Sequence, residues 1–188
     1  GTLFGMDAAM IEHALGIAAS SASGLFAFLH SGGDTKRLHA GHAAREGLLA
    51  ALLAEGGMQG PAGVVESRDG FVQAFGDALV PRTGIDPQAP AAITQCYVKP
   101  WACCRHIHPA IDGLLDMMRN DGIDAANVAT IDVGTYAIGA MHGDTGWDDL
   151  LSAQMSYPFA LAVALARGHV DLDDFGDAAR ADPAVLSL

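Results

Sequence analysis

Positively charged and imidazole side chains are concentrated in two short clusters of this sequence. The 188 residues contain only two lysines, Lys36 and Lys99, and histidines stand close to both. A helix would align Lys36 with His39, three residues later, and bring His42 partly round to the same side. A lysine at a helix N-terminus acts together with the free backbone N–H groups on a bound anion. The first cluster therefore predicts a carboxylate site, with His39 available for proton transfer.

The second cluster, residues 99–112, combines several reactive side chains near the predicted start of a helix. Arg105 adds a second cation to Lys99, and His108 supplies an imidazole. Cys104 is either a thiol whose pKa is lowered by the helix terminus and Arg105, or a buried small apolar residue. The combination predicts carboxylate binding by Lys99 and Arg105, and proton transfer by Cys104 or His108. Both clusters could instead be ordinary cations paired with nearby carboxylates.

The cysteine pattern argues against disulfide and metal chemistry. The chain has three cysteines, and the neighbours Cys103 and Cys104 rarely meet the geometry of a disulfide bridge. Together with Cys96 and the nearby histidines they could form a metal site. A closed zinc site, however, needs a C-x-x-C pair and a distant second pair, which this stretch lacks. We therefore expect no metal ion, no other cofactor and a reduced, cytoplasmic setting.

The composition excludes several classes of protein. A net charge of −12 with ten Lys and Arg is unsuited to a phosphate backbone, so we expect no nucleic-acid partner. Hydrophobic residues make up 51% of the chain and charged residues 17%, which is typical of a core-rich globular domain. The apolar stretch at residues 156–166 ends at Arg167, short of the roughly 18 residues that cross a bilayer. We therefore expect a soluble protein without a membrane span.

Hydrophobic periodicity predicts helices in the first half of the chain. Asp7 is placed to cap a first helix, whose many small residues predict close approach to neighbouring backbones. Asp34 or Thr35 is placed to cap a second helix over residues 36–55, with an apolar stripe of leucines. Ser67 is placed to cap a short third helix.

The pattern changes after residues 80–90, which contain three prolines and no sustained period and so indicate a linker. Residues 92–98 and 128–138 are predicted strands, because apolar and β-branched residues alternate in them. Residues 108–119 are predicted to form an amphipathic helix, and residues 147–166 a helical stretch interrupted by a proline. The second half therefore predicts a strand, a helix, a second strand and a final helix.

Five motifs, in this order along the chain, resemble the MmgE/PrpD (2-methylcitrate dehydratase) family. They are Gly5-Met6-Asp7 and residues 13–25, 35–44, 99–112 and 154–160. The resemblance implies a mixed fold: residues 1–90 belong to an all-helical domain, and residues 91–188 to a smaller α/β lid domain with the start of a return to the helical domain. It also implies a homodimer.

Members of this family act on small di- and tricarboxylates without an iron–sulfur cluster. The resemblance places Lys36 and Lys99 in a site between the two domains. Some members, decarboxylases among them, carry histidine at the position of Cys104, which argues against decarboxylation of that kind. The chain resembles an interior fragment without the histidine-bearing segments that the family carries upstream, so we expect it not to turn over by itself.

Residues and resemblance together predict a metal-independent hydro-lyase in the full-length protein. Lys36 and Lys99 would neutralise substrate carboxylates, His39 or His108 would move the proton beside a carboxylate, and water would be lost. Two alternatives stay open. One is an isomerase or epimerase of the same family, which uses the same proton abstraction. The second is a catalytically silent domain that binds a polycarboxylate or supports dimerisation.

Overall fold

A computed structural model gives the fold of most of the chain. The structure describes residues 1–28, 33–76 and 88–188. These residues form two compact units. Unit 1 comprises Gly1–Phe26 and Asp34–Pro90, and unit 2 comprises Ala27–Gly33 and Ala91–Leu188. Most of the linker predicted at residues 80–90 lies outside the described residues, so the linker and the domain bounds 1–90 and 91–188 stay predictions.

Unit 1 is helical. Its described helices are α1 (Ala8–Ser20), α2 (Thr35–Glu55) and α3 (Phe71–Phe75). The predicted cap of α1 is present, because the Asp7 carboxylate accepts a hydrogen bond from the backbone N–H of Met10 at 2.9 Å. Asp34 is the N-cap residue of α2 but makes no capping bond with its side chain. Helices α1 and α2 pack against each other and form the centre of the unit.

Glycines allow α1 to touch the loop that follows α2. A Cβ atom added to Gly60 would lie 2.3 Å from the carbonyl oxygen of His13 and 2.8 Å from the nitrogen of Ile17. One added to Gly16 would lie 2.7 Å from the carbonyl oxygen of Pro61. Real Cβ atoms do not approach backbone so closely. The sequence predicts that the small residues of α1 let another backbone approach closely. In the structure that backbone is the loop at residues 60–61.

The leucines of α2 do not form its buried face. Ala50, Ala51 and Ala54 are buried, whereas the four leucines of the predicted stripe are 37–54% exposed. They are Leu48, Leu49, Leu52 and Leu53. At 21 residues α2 is a long helix, but neither it nor any other described helix has the length and apolarity to cross a membrane.

Unit 2 packs short helices around one buried helix. Its described helices are α4 (His108–Asn120), α5 (Ala137–Ala140), α6 (Leu150–Met155), α7 (Tyr157–Arg167), α8 (Asp177–Arg180) and α9 (Pro183–Leu186). Helix α7 supplies Phe159 and Val163 to the core, and α4 packs against it through Ile111. The amphipathic helix predicted at residues 108–119 is therefore observed, with its apolar side inward.

The predicted interruption before α7 is a tight junction between two capped helices. The Asp149 carboxylate accepts hydrogen bonds from Leu151 and Ser152 at the start of α6. Ser156 ends α6 and caps α7, since its hydroxyl accepts from the backbone N–H of Phe159 at 3.3 Å. Proline follows within the first turn of α7, where its missing N–H costs no helical hydrogen bond.

The α/β lid domain predicted for unit 2 is wrong, because the described residues contain no strand. Residues Ala92–Gln95 form a 3-10 turn, which the Thr94 hydroxyl stabilises by donating to the carbonyl of Ala91 at 2.7 Å. Residues 128–136 have β-branched side chains, but no described strand lies beside them to complete a sheet. Residues 128–131, Val133 and one side of α7 instead border an open groove of about 560 Å³.

Candidate active site

Residues 102–104 are held against helix α6 by two hydrogen bonds with Gln154. The backbone N–H of Cys104 donates to the Gln154 carbonyl at 2.7 Å, and the Gln154 side-chain amide donates to the Ala102 carbonyl at 2.6 Å. A 3-10 turn, Arg105–Ile107, follows at once and leads into α4. Because Ile107 is fully buried, the core fixes the orientation of this turn and of the reactive side chains on it.

Cys104, His106 and His142 form a cluster in unit 2. The Cys104 Sγ lies 3.6 Å from the Nε2 of His142, and both residues are buried, at 8% and 6% exposure. The rings of His106 and His142 stack, with their centroids 5.5 Å apart. A thiol and an imidazole in contact can exchange a proton, so this cluster has the groups that acid–base chemistry requires.

Tyr157, the first residue of α7, holds both histidines of the cluster. Its hydroxyl donates to the carbonyl of His106 at 2.6 Å, and its backbone N–H donates to the carbonyl of His142 at 3.0 Å. The ring of His106 is restrained further by a hydrogen bond between its Nδ1 and the hydroxyl of Tyr136. One aromatic residue therefore links two chain segments that carry imidazoles.

Lys99 and His108 meet at one backbone oxygen. The Lys99 ammonium donates to the carbonyl of Cys103 at 3.2 Å, and the His108 Nε2 lies 3.4 Å from the same oxygen. Arg105 points elsewhere: its Nε donates to the hydroxyl of Tyr97 at 2.6 Å, and its guanidinium lies over the Tyr97 ring. In the second predicted cluster the two cations, Lys99 and Arg105, are thus exposed and bind different partners, whereas His108 is buried.

Burial shifts the pKa of two groups here. Burial, and to a smaller extent the neighbouring Cys104, raises the pKa of the Cys103 thiol to about 12. Lys99 acts in the opposite direction but more weakly. Burial also lowers the pKa of His108, which is only 2% exposed and whose Nδ1 makes no hydrogen bond within the described residues. Both groups are therefore held neutral, and His108 lies in the core rather than on an accessible surface.

The first predicted cluster lies on α2 in unit 1. Lys36 and His39 are both partly exposed. A Cβ atom on Gly24 would lie 3.6 Å from the His39 Nδ1, so the chain passes close to that ring. His42 Nε2 lies 3.3 Å from the Ser23 hydroxyl. Lys36 belongs to unit 1 and Lys99 to unit 2. That both lysines bind one substrate therefore stays a prediction.

His142 was not among the residues selected from the sequence. It stands 38 residues from Cys104 in the chain, between a methionine and a glycine, with no spacing that marks it. The structure brings together Cys104, His106 and His142. The sequence groups Cys104 and His106 with Lys99, Arg105 and His108, without His142.

The chain matches sequence profiles of one family over both of its units. Residues 1–82 match the MmgE/PrpD N-terminal domain, and residues 101–188 match the MmgE/PrpD C-terminal domain. The chain belongs to the MmgE/PrpD family. The resemblance that the five sequence motifs indicated is therefore confirmed.

Two fungal relatives of this MmgE/PrpD chain are also similar over almost its full length. A cis-aconitate decarboxylase from Aspergillus terreus is 30% identical over 94% of the chain, and these residues cover 39% of that protein. A cis-aconitate decarboxylase-like protein, oryM, from Aspergillus oryzae is 31% identical over 99% of the chain and is covered to 42%. The chain thus spans about two fifths of the length of the curated relatives it matches.

Proposed function

We propose that the full-length protein is a metal-independent lyase that removes water from a small di- or tricarboxylate of the 2-methylcitrate type. The observation that supports this most directly is the contact of Cys104 and His142, beside His106 and a few residues from Lys99. The chain's family, whose relatives are named for a decarboxylation of cis-aconitate, supports a lyase on such an acid.

Carboxylate binding comes first in the proposed reaction. Lys99, Arg105 and Lys36 neutralise the substrate's carboxylates, which makes the proton on the neighbouring carbon more acidic. A cation also stabilises the enolate-like charge that develops as this proton leaves, and such stabilisation is a large term in catalysis. Lys99 holds the central role, because it lies next to the thiol and imidazole cluster in the chain.

Proton transfer follows. The half-buried imidazole of His106 takes the proton from carbon, the freed electron pair forms a double bond, and the carbon–oxygen bond breaks. The leaving hydroxide takes a proton from the Cys104 and His142 pair and departs as water. His39 on α2 is a second candidate base. His108, which the sequence also selects, is buried in the core and suits this step less well.

Decarboxylation is a second candidate, and the names of the fungal relatives favour it. It needs the same carboxylate binding but breaks a carbon–carbon bond, so that carbon dioxide leaves and a proton is added. Epimerisation within the same family is compatible with this binding too, as is a silent domain that only holds a polycarboxylate. A homodimeric assembly and a cytoplasmic location belong to the proposal as well.

The test uses the full-length protein, incubated separately with 2-methylcitrate and cis-aconitate, with products identified by mass spectrometry. Lys99→Met is expected to lower kcat/KM by about 100-fold or more, as loss of one group that stabilises transition-state charge does. Lys36→Met tests the second cation in the same way. Arg119→Met is the matched control, because Arg119 is an exposed cation on α4, with its side chain 68% exposed.

If the products include carbon dioxide and no dehydrated acid, the proposed dehydration would be wrong and decarboxylation would take its place. A Lys99→Met enzyme as active as the Arg119→Met enzyme would remove Lys99 from the site. Binding of both acids without any product would favour the silent domain.

A further inference from the structure

Cys104, His106 and His142 have the composition of a metal site. One ligand atom from each residue lies within 4.8 Å of those of the other two. The distance between the Cys104 Sγ and the His142 Nε2 is 3.6 Å. Tetrahedral zinc, with a sulfur at about 2.3 Å and a nitrogen at about 2.0 Å, separates such a pair by about 3.5 Å. The described geometry therefore already matches one edge of a zinc tetrahedron.

The chain segments that carry these three side chains are also held in place before any ion binds. Gln154 anchors the backbone of Cys104, and Tyr157 anchors the backbones of both histidines. Cys104 and His142 are buried, while His106 is partly exposed. A prearranged set of one thiol and two imidazoles suits a thiophilic divalent cation, because thiolate and imidazole are the ligands that zinc prefers.

A second group of possible metal ligands in unit 2 is less suited to a cation, because one of its carboxylates is already paired. His169, Asp171 and Asp174 lie close together, but the Asp174 carboxylate is already bound by the Arg167 guanidinium. Arg167 is held in turn by Asp182 at 2.9 Å. A cation would have to displace a guanidinium there, whereas the thiol of Cys104 faces an imidazole that is itself a candidate ligand.

We propose that Cys104, His106 and His142 bind Zn²⁺ and that the bound ion inhibits the protein. Three protein ligands leave the fourth position of the ion to water or to a substrate carboxylate. Binding removes the proton of the Cys104 thiol, which is released to solvent, and occupies one ring nitrogen of each histidine. The inhibition, though not the binding, rests on the proposed lyase function, because the ion withdraws the groups that would move protons.

Binding is tested with Co²⁺ as a coloured substitute for Zn²⁺. The full-length protein is first freed of metal with a chelator and then titrated with Co²⁺ while the thiolate-to-cobalt charge-transfer absorption is recorded. We expect this absorption at one equivalent, and its reversal by Zn²⁺. Cys104→Ser should abolish it, whereas Cys96→Ser, which changes an exposed cysteine outside the cluster, should leave it unchanged.

The histidine variants test the rest of the ligand set. A partner in the outer shell of a metal is worth about 10- to 100-fold in affinity, so loss of a direct ligand in His142→Gln should weaken Co²⁺ binding at least that much. His106→Gln alters a partly exposed residue and serves if the buried substitution unfolds the protein, which circular dichroism will show. Absence of the absorption in the parent protein, or its persistence in Cys104→Ser, would overturn the site.

The inhibition is measured on the same metal-free protein. We expect turnover of the identified substrate to fall as Zn²⁺ approaches one equivalent and to recover when chelator is added. Zinc binding with unchanged turnover would overturn the inhibitory role, and so would turnover that requires zinc. Cobalt binding by a protein that turns over no polycarboxylate would support the metal site while the proposed lyase function fails.

Discussion

The Sγ of Cys104 lies 3.6 Å from the Nε2 of His142, although 38 residues separate the two in the chain. The junction of α6 and α7 accounts for this contact. The carbonyl of Gln154 binds the backbone of Cys104, and three residues later the N–H of Tyr157 binds the backbone of His142. A capped helix junction, rather than the reactive residues themselves, therefore sets the geometry of the candidate active site.

Tyr157→Phe is expected to destabilise unit 2. The change removes the hydroxyl that donates to the His106 carbonyl at 2.6 Å in a site where Tyr157 is only 6% exposed. Loss of such a hydrogen bond costs about 1 kcal/mol in the free energy of unfolding. Urea denaturation measures it. The control is Tyr97→Phe, whose hydroxyl also makes a hydrogen bond but whose side chain is exposed. Equal effects of the two changes would contradict the role of Tyr157.

Cys103 is expected to resist alkylation in the folded protein. Its thiol pKa is raised to about 12, and the thiolate is the reactive form, so almost none is present near neutral pH. Cys96 is exposed and should react first with iodoacetamide. Peptide mapping by mass spectrometry after timed labelling identifies the site, and Cys96→Ser should remove the fast phase. Rapid labelling of Cys103 in that variant, without denaturant, would show that the thiol is accessible.

His108 is expected to make stability depend on pH below about 6.5, the ordinary value for histidine. Burial lowers the pKa of His108 in the folded state, so the unfolded chain takes up a proton first as the pH falls. The free energy of unfolding therefore decreases from about pH 6.5 down to the lowered folded-state pKa, and is unaffected by this group above that range.

The measurement for His108 is a series of urea denaturation curves between about pH 7.5 and pH 5, taken for the parent and for His108→Gln. Glutamine keeps a polar nitrogen but does not titrate. The decrease in stability should be smaller in His108→Gln. Parallel curves for the two proteins would mean that His108 is protonated as readily in the folded state as in the unfolded one.

Gly60→Ala and Gly47→Ala should change stability in opposite directions. The new methyl at position 60 meets the His13 carbonyl at 2.3 Å, which demands a backbone shift costing about 1–3 kcal/mol. The methyl at position 47, on the exposed side of α2, meets nothing within 4 Å, and alanine should gain up to about 1 kcal/mol there. Thermal unfolding followed by circular dichroism compares the two. A Gly60→Ala protein as stable as the parent would contradict the close packing of α1.

The helices with clear local signals were predicted well from the sequence. Asp7 does cap α1, α2 does end at Glu55, and the helical stretch near residue 157 is interrupted as its proline predicts. The third helix was placed less well, because Gly70 rather than Ser67 is its N-cap. Capping and proline effects act within a few residues, so one sequence reveals them.

The strands and the cluster could not be predicted from local signals. Alternating Ile131 and Val133 favours a strand, but a strand exists only when another pairs with it, and none does within the described residues. The α6–α7 junction binds the backbones of both Cys104 and His142, and no spacing rule encodes such an arrangement. The family motifs pointed to Lys99 and Cys104, and packing then supplied the histidine that they left out.

The exposed stretch around Ile131 and Val133 has a practical consequence. Backbone donors and acceptors beside β-branched side chains invite neighbouring molecules to add a strand, and such contacts grow into insoluble aggregates. Asp132, between the two, is the one charge in residues 128–136 that opposes this edge-to-edge growth. Asp132→Asn should therefore make concentrated solutions of this polypeptide aggregate faster, as measured by light scattering, independently of any effect on activity.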